Sequence, residues 1–215
     1  LSVWAAACAL GFLEPFSGWW HKGGMDEEQL VRGLRSREPG AVQELVASCG
    51  DRLFRSACLL CGDQAEAQDL VQETLLQAIR SVPRFRGNSS LYTWLHGILL
   101  NLTRHYHRDR KWVVYDEELA HREPPPVEVN PSGSDAEAAS GALAEAMRGL
   151  SDAHREVLVL RFYEEMKIHE IAAHLGVSKG TVKSRLHYAI AEMQRQMPSE
   201  LNLFGAGGTQ EKAQR

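Results

Sequence analysis

The residues with the clearest chemical purpose lie near the C-terminal end, where Lys179, Gly180, Lys183, Ser184, His187 and Tyr188 crowd together between residues 179 and 188. Lysine reaches phosphates or guanine edges, serine bonds to either, and an aromatic ring packs on sugar-phosphate or a thymine methyl. Through the same stretch Val182, Leu186, Ala189, Ile190 and Met193 recur at helical spacing. One face of a helix is therefore apolar and the opposite face carries the polar set. Arg185 and Arg195 add charge at its flanks. The helix start would present free N–H groups and a positive dipole to phosphate.

Helical spacing positions those residues only if the helix is anchored. Ser178 is suited to cap it, and Gly176 to turn the chain out of a shorter helix bearing Ile168, Ile171, Ala172 and Leu175. A short helix, a Gly-containing turn and a longer capped helix predict a helix-turn-helix. Before it, Ser151-Asp152 opens a helix running through Val157, Leu158, Leu160 and Phe162. A second helical domain is expected over 138–197, followed by a tail at 198–215.

The first half is also helical. Val42, Leu45, Val46, Cys49, Leu53 and Leu60 mark one buried face, with Pro39-Gly40 separating this helix from a shorter one before it. Leu70, Val71, Leu75, Ala78, Ile79 and Val82 mark another, ended by Pro83. A turn at 84–90 leads into a long helix over 91–111 that Ser89 or Ser90 can cap. Residues 25–113 form the first domain. Between the two domains, 114–137 holds Pro124-Pro125-Pro126, Asn130-Pro131 and seven acidic residues against the single Arg122. That composition predicts a flexible, self-repelling, acidic and Pro-rich linker. It absorbs much of the formal net charge of −4, leaving the folded parts more basic than the total. Fold class is all-α: two small helical domains on a tether, with a C-terminal helix-turn-helix.

The first 24 residues differ from the rest. They lack the basic start of a signal peptide, and Glu14-Pro15 interrupts the apolar run too early for a membrane span. They are expected to be an extension ahead of a natural start at Met25, with no membrane insertion. Cys8, Cys49, Cys58 and Cys61 follow no disulfide framework, which fits a reducing cytoplasm. Cys58 and Cys61 form a CxxC without a second pair or a histidine at zinc spacing, so they read as small buried hydrophobes. No phosphate loop, nucleophile triad or carboxylate pair is present. No enzymatic activity and no cofactor are expected.

Asp69-Leu70-Val71-Gln72-Glu73-Thr74, followed by Phe85-Arg86-Gly87-Asn88-Ser89-Ser90-Leu91-Tyr92-Thr93-Trp94-Leu95, resembles region 2 of extracytoplasmic-function sigma factors of the sigma-70 family. Ile171-Ala172 through Gly180-Thr181-Val182-Lys183-Ser184-Arg185 resembles their region 4, and Leu150-Ser151 with Arg155-Glu156-Val157 the stretch before it. The two motifs occur in order and cover residues 25–197 apart from the linker.

The resemblance implies a bacterial sigma factor that binds core RNA polymerase, recognises −35 and −10 promoter elements and promotes melting. Asp69, Gln72, Glu73 and Leu76 are then the polymerase face; helical spacing alone would leave them a solvated surface. The turn after Pro83 and the helix from Leu91 become the −10 reader. Opening a promoter requires aromatic platforms and a basic track for unstacked bases. Tyr92, Trp94, His96, Asn101, Arg104, His105, Tyr106, Arg108, Arg110 and Lys111 are of those types. Arg86, Asn88, Tyr92, Asn101, Arg104 and Arg108 are the residues expected on −10 DNA, with Asn101 at the family's flipped-base position and Trp94 in the core. Lys179, Thr181, Lys183, Ser184, Arg185, His187 and Tyr188 are expected on the −35 element. Implied partners are core RNA polymerase, promoter DNA as duplex and single strand, and an anti-sigma factor, which no residue identifies.

Overall fold

The computed structural model describes residues 25–113 and 135–196, which belong to two compact units. The expected extension, the linker interior and the tail lie outside the described residues.

In the first unit, α1 (Glu27–Arg35) is capped by Asp26, whose side chain accepts from the Gln29 N–H at 2.7 Å while Gln29 reaches back to the Asp26 amide. Acidic residues in its first turn and Arg32 and Arg35 in its last suit the helix dipole. It buries Leu30, Val31 and Leu34. Gly33 lets it seat closely on the next helix: a Cβ there would stand 2.8 Å from that of Ala41. Helix α2 (Pro39–Cys61) ends where Gly62 turns left-handed at φ 76°. Asp63 then caps α3 (Gln64–Ser81) by accepting from the Ala65 and Glu66 amides. A 3-10 turn, Val82–Arg84, precedes an exposed loop, and α4 (Leu91–Val113) closes the unit. Its core joins Leu45, Leu53, Ala57 and Leu60 of α2 to Leu95, Leu99 and Leu100 of α4.

The second unit contains α5 (Asp135–Arg148), α6 (Asp152–Leu158), a single π turn at Val159–Tyr163, α7 (Ile168–Leu175) and α8 (Lys179–Gln196). Helix α8 packs on α5, α6 and α7. Buried Arg155 ties the first bend. Its guanidinium donates to the carbonyls of Met147 at 2.9 Å, Arg148 at 3.1 Å and Leu150 at 3.0 Å. Met147 and Arg148 belong to the last turn of α5, where carbonyls run short of helical partners, and Leu150 to the bend after it. Among the described residues there is no strand, and no helix is long and apolar enough to cross a membrane.

Several local expectations change. Pro39-Gly40 opens α2 rather than separating it, because proline suits the first helical turn, where its missing N–H costs nothing. Val46 is 48% exposed, and Leu75 and Ile79 are only half-buried. Thr74 takes the core position instead, returning its hydroxyl to the Leu70 carbonyl at 2.7 Å. The helix from Asp152 stops being α at Leu158. Residues 155–160 are all buried, and a π turn over Val159–Tyr163 continues the helix. Helix α5 starts at Asp135, inside the expected linker.

The cysteines behave as structural residues. Cys49 and Cys61 are buried and Cys58 half-buried, and desolvation raises all three thiols, Cys58 to about 11. Thiolates are therefore scarce near neutral pH.

His96, one of the aromatic and basic residue types in the stretch from Tyr92 but not among the residues expected on DNA, lies in the core. It is 2% exposed, with Nε2 2.9 Å from the buried Ser56 Oγ. Burial, and secondarily the charge of Arg52, lowers its pKa to about 3, so it is neutral in the folded state. The unfolded chain takes up a proton near pH 6.5 that the native state refuses, so stability is complete above that value and falls as pH drops toward 3. The loss should reach about 2 kcal/mol by pH 5. Thermal melts of the wild type and His96→Gln at pH 5 and 7.5 check this: the variant's melting temperature should depend distinctly less on pH.

Candidate functional site

Three exposed surfaces carry the groups singled out in the sequence. On α3 the core stripe of Ala67, Leu70, Val71, Thr74 and Ala78 faces inward. Asp69 and Gln72 are exposed on the other side, with Leu76 40% exposed beside them. Glu73 is half-buried and accepts from Gln77 Nε2 at 3.3 Å. The patch is polar and acidic with one apolar centre, the make-up of a charged protein interface rather than of a ligand pocket.

The second surface runs from the loop after the 3-10 turn onto α4. Phe85 is buried and packs on Trp94 with ring centroids 5.2 Å apart. Trp94 is therefore a packing residue. Arg86 and Asn88 stand exposed on either side of Gly87, whose φ of +72° favours glycine. Ser90, not Ser89, starts α4, its hydroxyl accepting from the Thr93 amide at 3.1 Å. Leu91, Leu95, His96, Leu99, Leu100 and Thr103 bury one face of α4. At about 100° per residue, Asn101, Arg104, His105 and Arg108 fall together on the opposite face. Asn101, His105 and Arg108 are exposed and Arg104 half-buried. Arg108 donates to His105 Nδ1 at 2.6 Å, so this stripe carries a guanidinium braced by a ring.

Tyr92 does not join that stripe. It lies on the core side of the first turn, half-buried, with the Arg52 guanidinium 3.8 Å from its ring centroid. The His96 ring stands on the same side of the helix, its centroid 6.3 Å from that of Tyr92. His107 packs back onto α2, with Nε2 3.1 Å from the Leu60 carbonyl oxygen. The side chains of Arg110 and Lys111 lie outside the described residues.

The third surface is the helix-turn-helix. Gly176 at φ +67° ends α7, and Val177 donates to the Ala172 carbonyl at 3.0 Å to close the turn. Ser178 Oγ accepts from the Thr181 amide at 3.0 Å, starting α8. Val182, Leu186, Ala189 and Met193 are buried, while Ile190 is half-buried. Lys179, Lys183, Ser184, His187 and Tyr188 are exposed, Tyr188 by 62%. Thr181 and Arg185 are half-buried at the edges of this face. The rings of His187 and Tyr188 meet edge-on, 5.5 Å apart.

Sequence inspection missed the cationic cleft beside this face. Arg161, Lys167, Ile168 and His169 meet Lys179 and Lys183 around an open cavity of about 380 Å³. Arg161 is held by donating to the Met166 carbonyl at 3.1 Å. The basic residues are visible in the sequence, but only the fold of the chain over 159–168 brings them beside the start of α8. Among the described residues no three His, Cys, Asp or Glu side chains gather to hold a metal ion.

Comparison with known proteins agrees with this layout. The family description Sigma-70 region 2 matches residues 45–113, and Sigma-70, region 4 matches residues 146–195. The RNA polymerase sigma-E factor of Streptomyces avermitilis is 32% identical over 73% of this chain and 85% of its own length. The ECF RNA polymerase sigma factor SigL of Mycobacterium tuberculosis is 33% identical over 76% of this chain and 93% of its own. The sigma factor RpoE of Bartonella quintana, solved in complex with the anti-sigma factor NepR, aligns with a TM-score of 0.59 at 30% identity. That alignment spans 72% of this chain and 94% of the other. Both region matches fall in order on the two helical units, and ECF sigma factors align along most of their own length. The chain therefore belongs to the extracytoplasmic-function sigma factors of the sigma-70 family, promoter-recognising initiation factors of RNA polymerase rather than enzymes.

Proposed function

We propose that this sigma factor divides its work among the three surfaces. Residues 25–113 act as region 2, 114–137 as a tether, and 138–197 as region 4, so that each unit reaches its own promoter element. Asp69, Gln72, Glu73 and Leu76 dock on core RNA polymerase. Arg86, Asn88, Asn101, Arg104 and Arg108 hold the unstacked −10 strand and promote melting, with Tyr92 beside them at the start of α4. Lys179, Thr181, Lys183, Ser184, Arg185, His187 and Tyr188 read the −35 duplex, and Arg161 and Lys167 take neighbouring phosphates. The work is done in the cytoplasm. The Bartonella relative is solved with an anti-sigma factor, and we read this chain as open to the same kind of control.

The observation that carries the melting step is the exposed stripe of Asn101, His105 and Arg108 beside half-buried Arg104 on one side of α4. An amide that pairs with a base edge and guanidiniums that follow a backbone are what a single strand requires. The deciding experiment is transcription in vitro by core polymerase with this chain, from promoters selected out of a random library, with permanganate footprinting of the melted strand.

The surfaces should separate in that assay. Asp69→Lys with Glu73→Lys reverses charge away from the core, where surface changes cost within about 0.5 kcal/mol of stability. This variant should lose most of its affinity for core polymerase in a pull-down. Asn101→Ala should retain polymerase binding but reduce permanganate reactivity severalfold. Normal polymerase binding by the charge reversal, or failure of both variants in the same step, would show the faces to be misassigned.

The second unit has its own tests. Lys183→Ala with His187→Ala should weaken promoter-specific initiation by about 1–3 kcal/mol per lost contact, without affecting polymerase binding. Arg161→Ala with Lys167→Ala should instead weaken duplex binding uniformly across sequences. Titrations over a range of salt should give a slope of log affinity against log salt that is shallower by about 1 per phosphate contact removed. An unchanged slope would remove the cleft from the DNA surface.

A further inference from the structure

Helix α1 carries none of the groups assigned to polymerase or DNA, yet two of its side chains reach the ends of the loop that bears Arg86 and Asn88. Arg35 donates from Nη2 to the Phe85 carbonyl at 2.7 Å. Glu27 accepts the Leu91 amide on Oε1 at 2.9 Å. The contacts bridge 50 and 64 residues of sequence, so they are tertiary ties and not local turn bonds. Both arise from one short helix and bracket residues 86–90, which are all exposed.

Each contact satisfies a backbone group at a point where regular structure stops. The Leu91 amide is the first of α4 and has no carbonyl one helical turn behind it. A carboxylate there also meets the positive end of the α4 dipole. The Phe85 carbonyl follows the 3-10 turn, whose last bond is donated by the Phe85 amide to Val82 at 3.0 Å. The Phe85 ring is buried against Trp94, so side chain and carbonyl are fixed together. The clamp is itself stiff. Asp26 and Gln29 lock the start of α1, and Gly33 lets it sit against Ala41 with no room for a Cβ. Within the loop, Gly87 has open space around it, and the serine hydroxyls bond only at the edge of α4, Ser89 to Ser90 and Ser90 to Thr93.

We propose that α1 is a clamp that preorganises the promoter-reading loop, with Glu27 and Arg35 as positioning residues at its two ends. This rests on the reading that Arg86 and Asn88 touch the −10 strand. A loop released at either end samples many shapes and must be ordered when DNA arrives, which weakens binding without removing a contact. In this proposal Glu27 and Arg35 act without touching DNA or polymerase. Their effect passes through the loop backbone and is confined to the −10 step.

The test uses the full chain with core polymerase and a single-stranded ten-mer, selected from a random pool by the wild-type holoenzyme and labelled with 2-aminopurine. Glu27→Ala and Arg35→Ala should each weaken binding of this strand about tenfold. Core polymerase affinity and binding of a region-4 duplex should stay within twofold. Glu27→Gln, which keeps an acceptor, should recover most of the loss, and Arg35→Lys part of it. Hydrogen exchange gives a readout independent of DNA: the Leu91 amide should exchange faster in Glu27→Ala and regain protection in Glu27→Gln. Unchanged strand affinity in both alanine variants would overturn the clamp. So would equal losses in strand, duplex and polymerase binding, which mark a general folding defect. Should an alanine variant fail to fold, Glu27→Gln and Arg35→Lys decide, because wild-type Leu91 exchange without strand-binding recovery contradicts the mechanism. Arg86→Ala with Asn88→Ala tests the underlying reading separately. If that pair binds the strand normally while the clamp variants do not, the loop's assigned contacts fail and not the clamp.

Discussion

The first unit depends on how one face of α4 is buried. Leu91, Leu95, Leu99, Leu100 and Thr103 leave no choice of rotation for the helix, because turning it would expose leucines and withdraw neutral His96 from Ser56. Burial of such side chains is worth about 1.5–3 kcal/mol each, far more than any surface contact of the polar residues opposite. Asn101, His105 and Arg108 are therefore aimed by leucines. Their common direction results from a packing decision made on the other side of the helix.

The same logic runs through the helix-turn-helix. Val182, Leu186, Ala189 and Met193 seat α8, and its polar face is what remains. Two further features aim that face. Buried Arg155 binds the carbonyls at the end of α5 and sets where α6 departs. The π turn after Leu158 then carries Arg161 and Lys167 to the start of α8, where cationic groups gather around one open cleft. A polar network and a wider helical turn decide the direction, while apolar burial supplies the stability.

Two of the groups proposed to read DNA sit on short, exposed backbone between helices. Arg86 and Asn88 flank Gly87 in a loop anchored at Phe85 and Ser90. If this loop grips an unstacked strand, as proposed, it needs accessible side chains on a backbone whose shape is already determined. Region 2 of this sigma factor combines an apolar interior, a pinned loop and a charged exterior within a few turns of helix.

Much of this was legible in the sequence because its signals are periodic or local. Helical spacing of Leu70, Val71 and Ala78, the Gly176-Val177-Ser178 turn and the Ser178 cap each reflect a constraint that a few neighbouring residues satisfy among themselves. So all-α architecture, the two units and the exposure of Asp69, Gln72, Lys183 and His187 could be read in advance. Periodicity could not say whether His96 and Tyr92 face solvent or core. Both have polar atoms and both lie within a basic, aromatic stretch, and their surroundings come from α2, forty residues away in sequence for the Ser56–His96 pair. Nor could it relate Glu27 to Leu91, Arg35 to Phe85, or Arg161 to Lys183. The sequence by itself determined which residues form helices and which faces are apolar, since those depend on neighbours one or two turns away. Tertiary packing alone decided which polar groups were buried and paired and which were left in water, since that depends on what the far parts of the chain bring alongside.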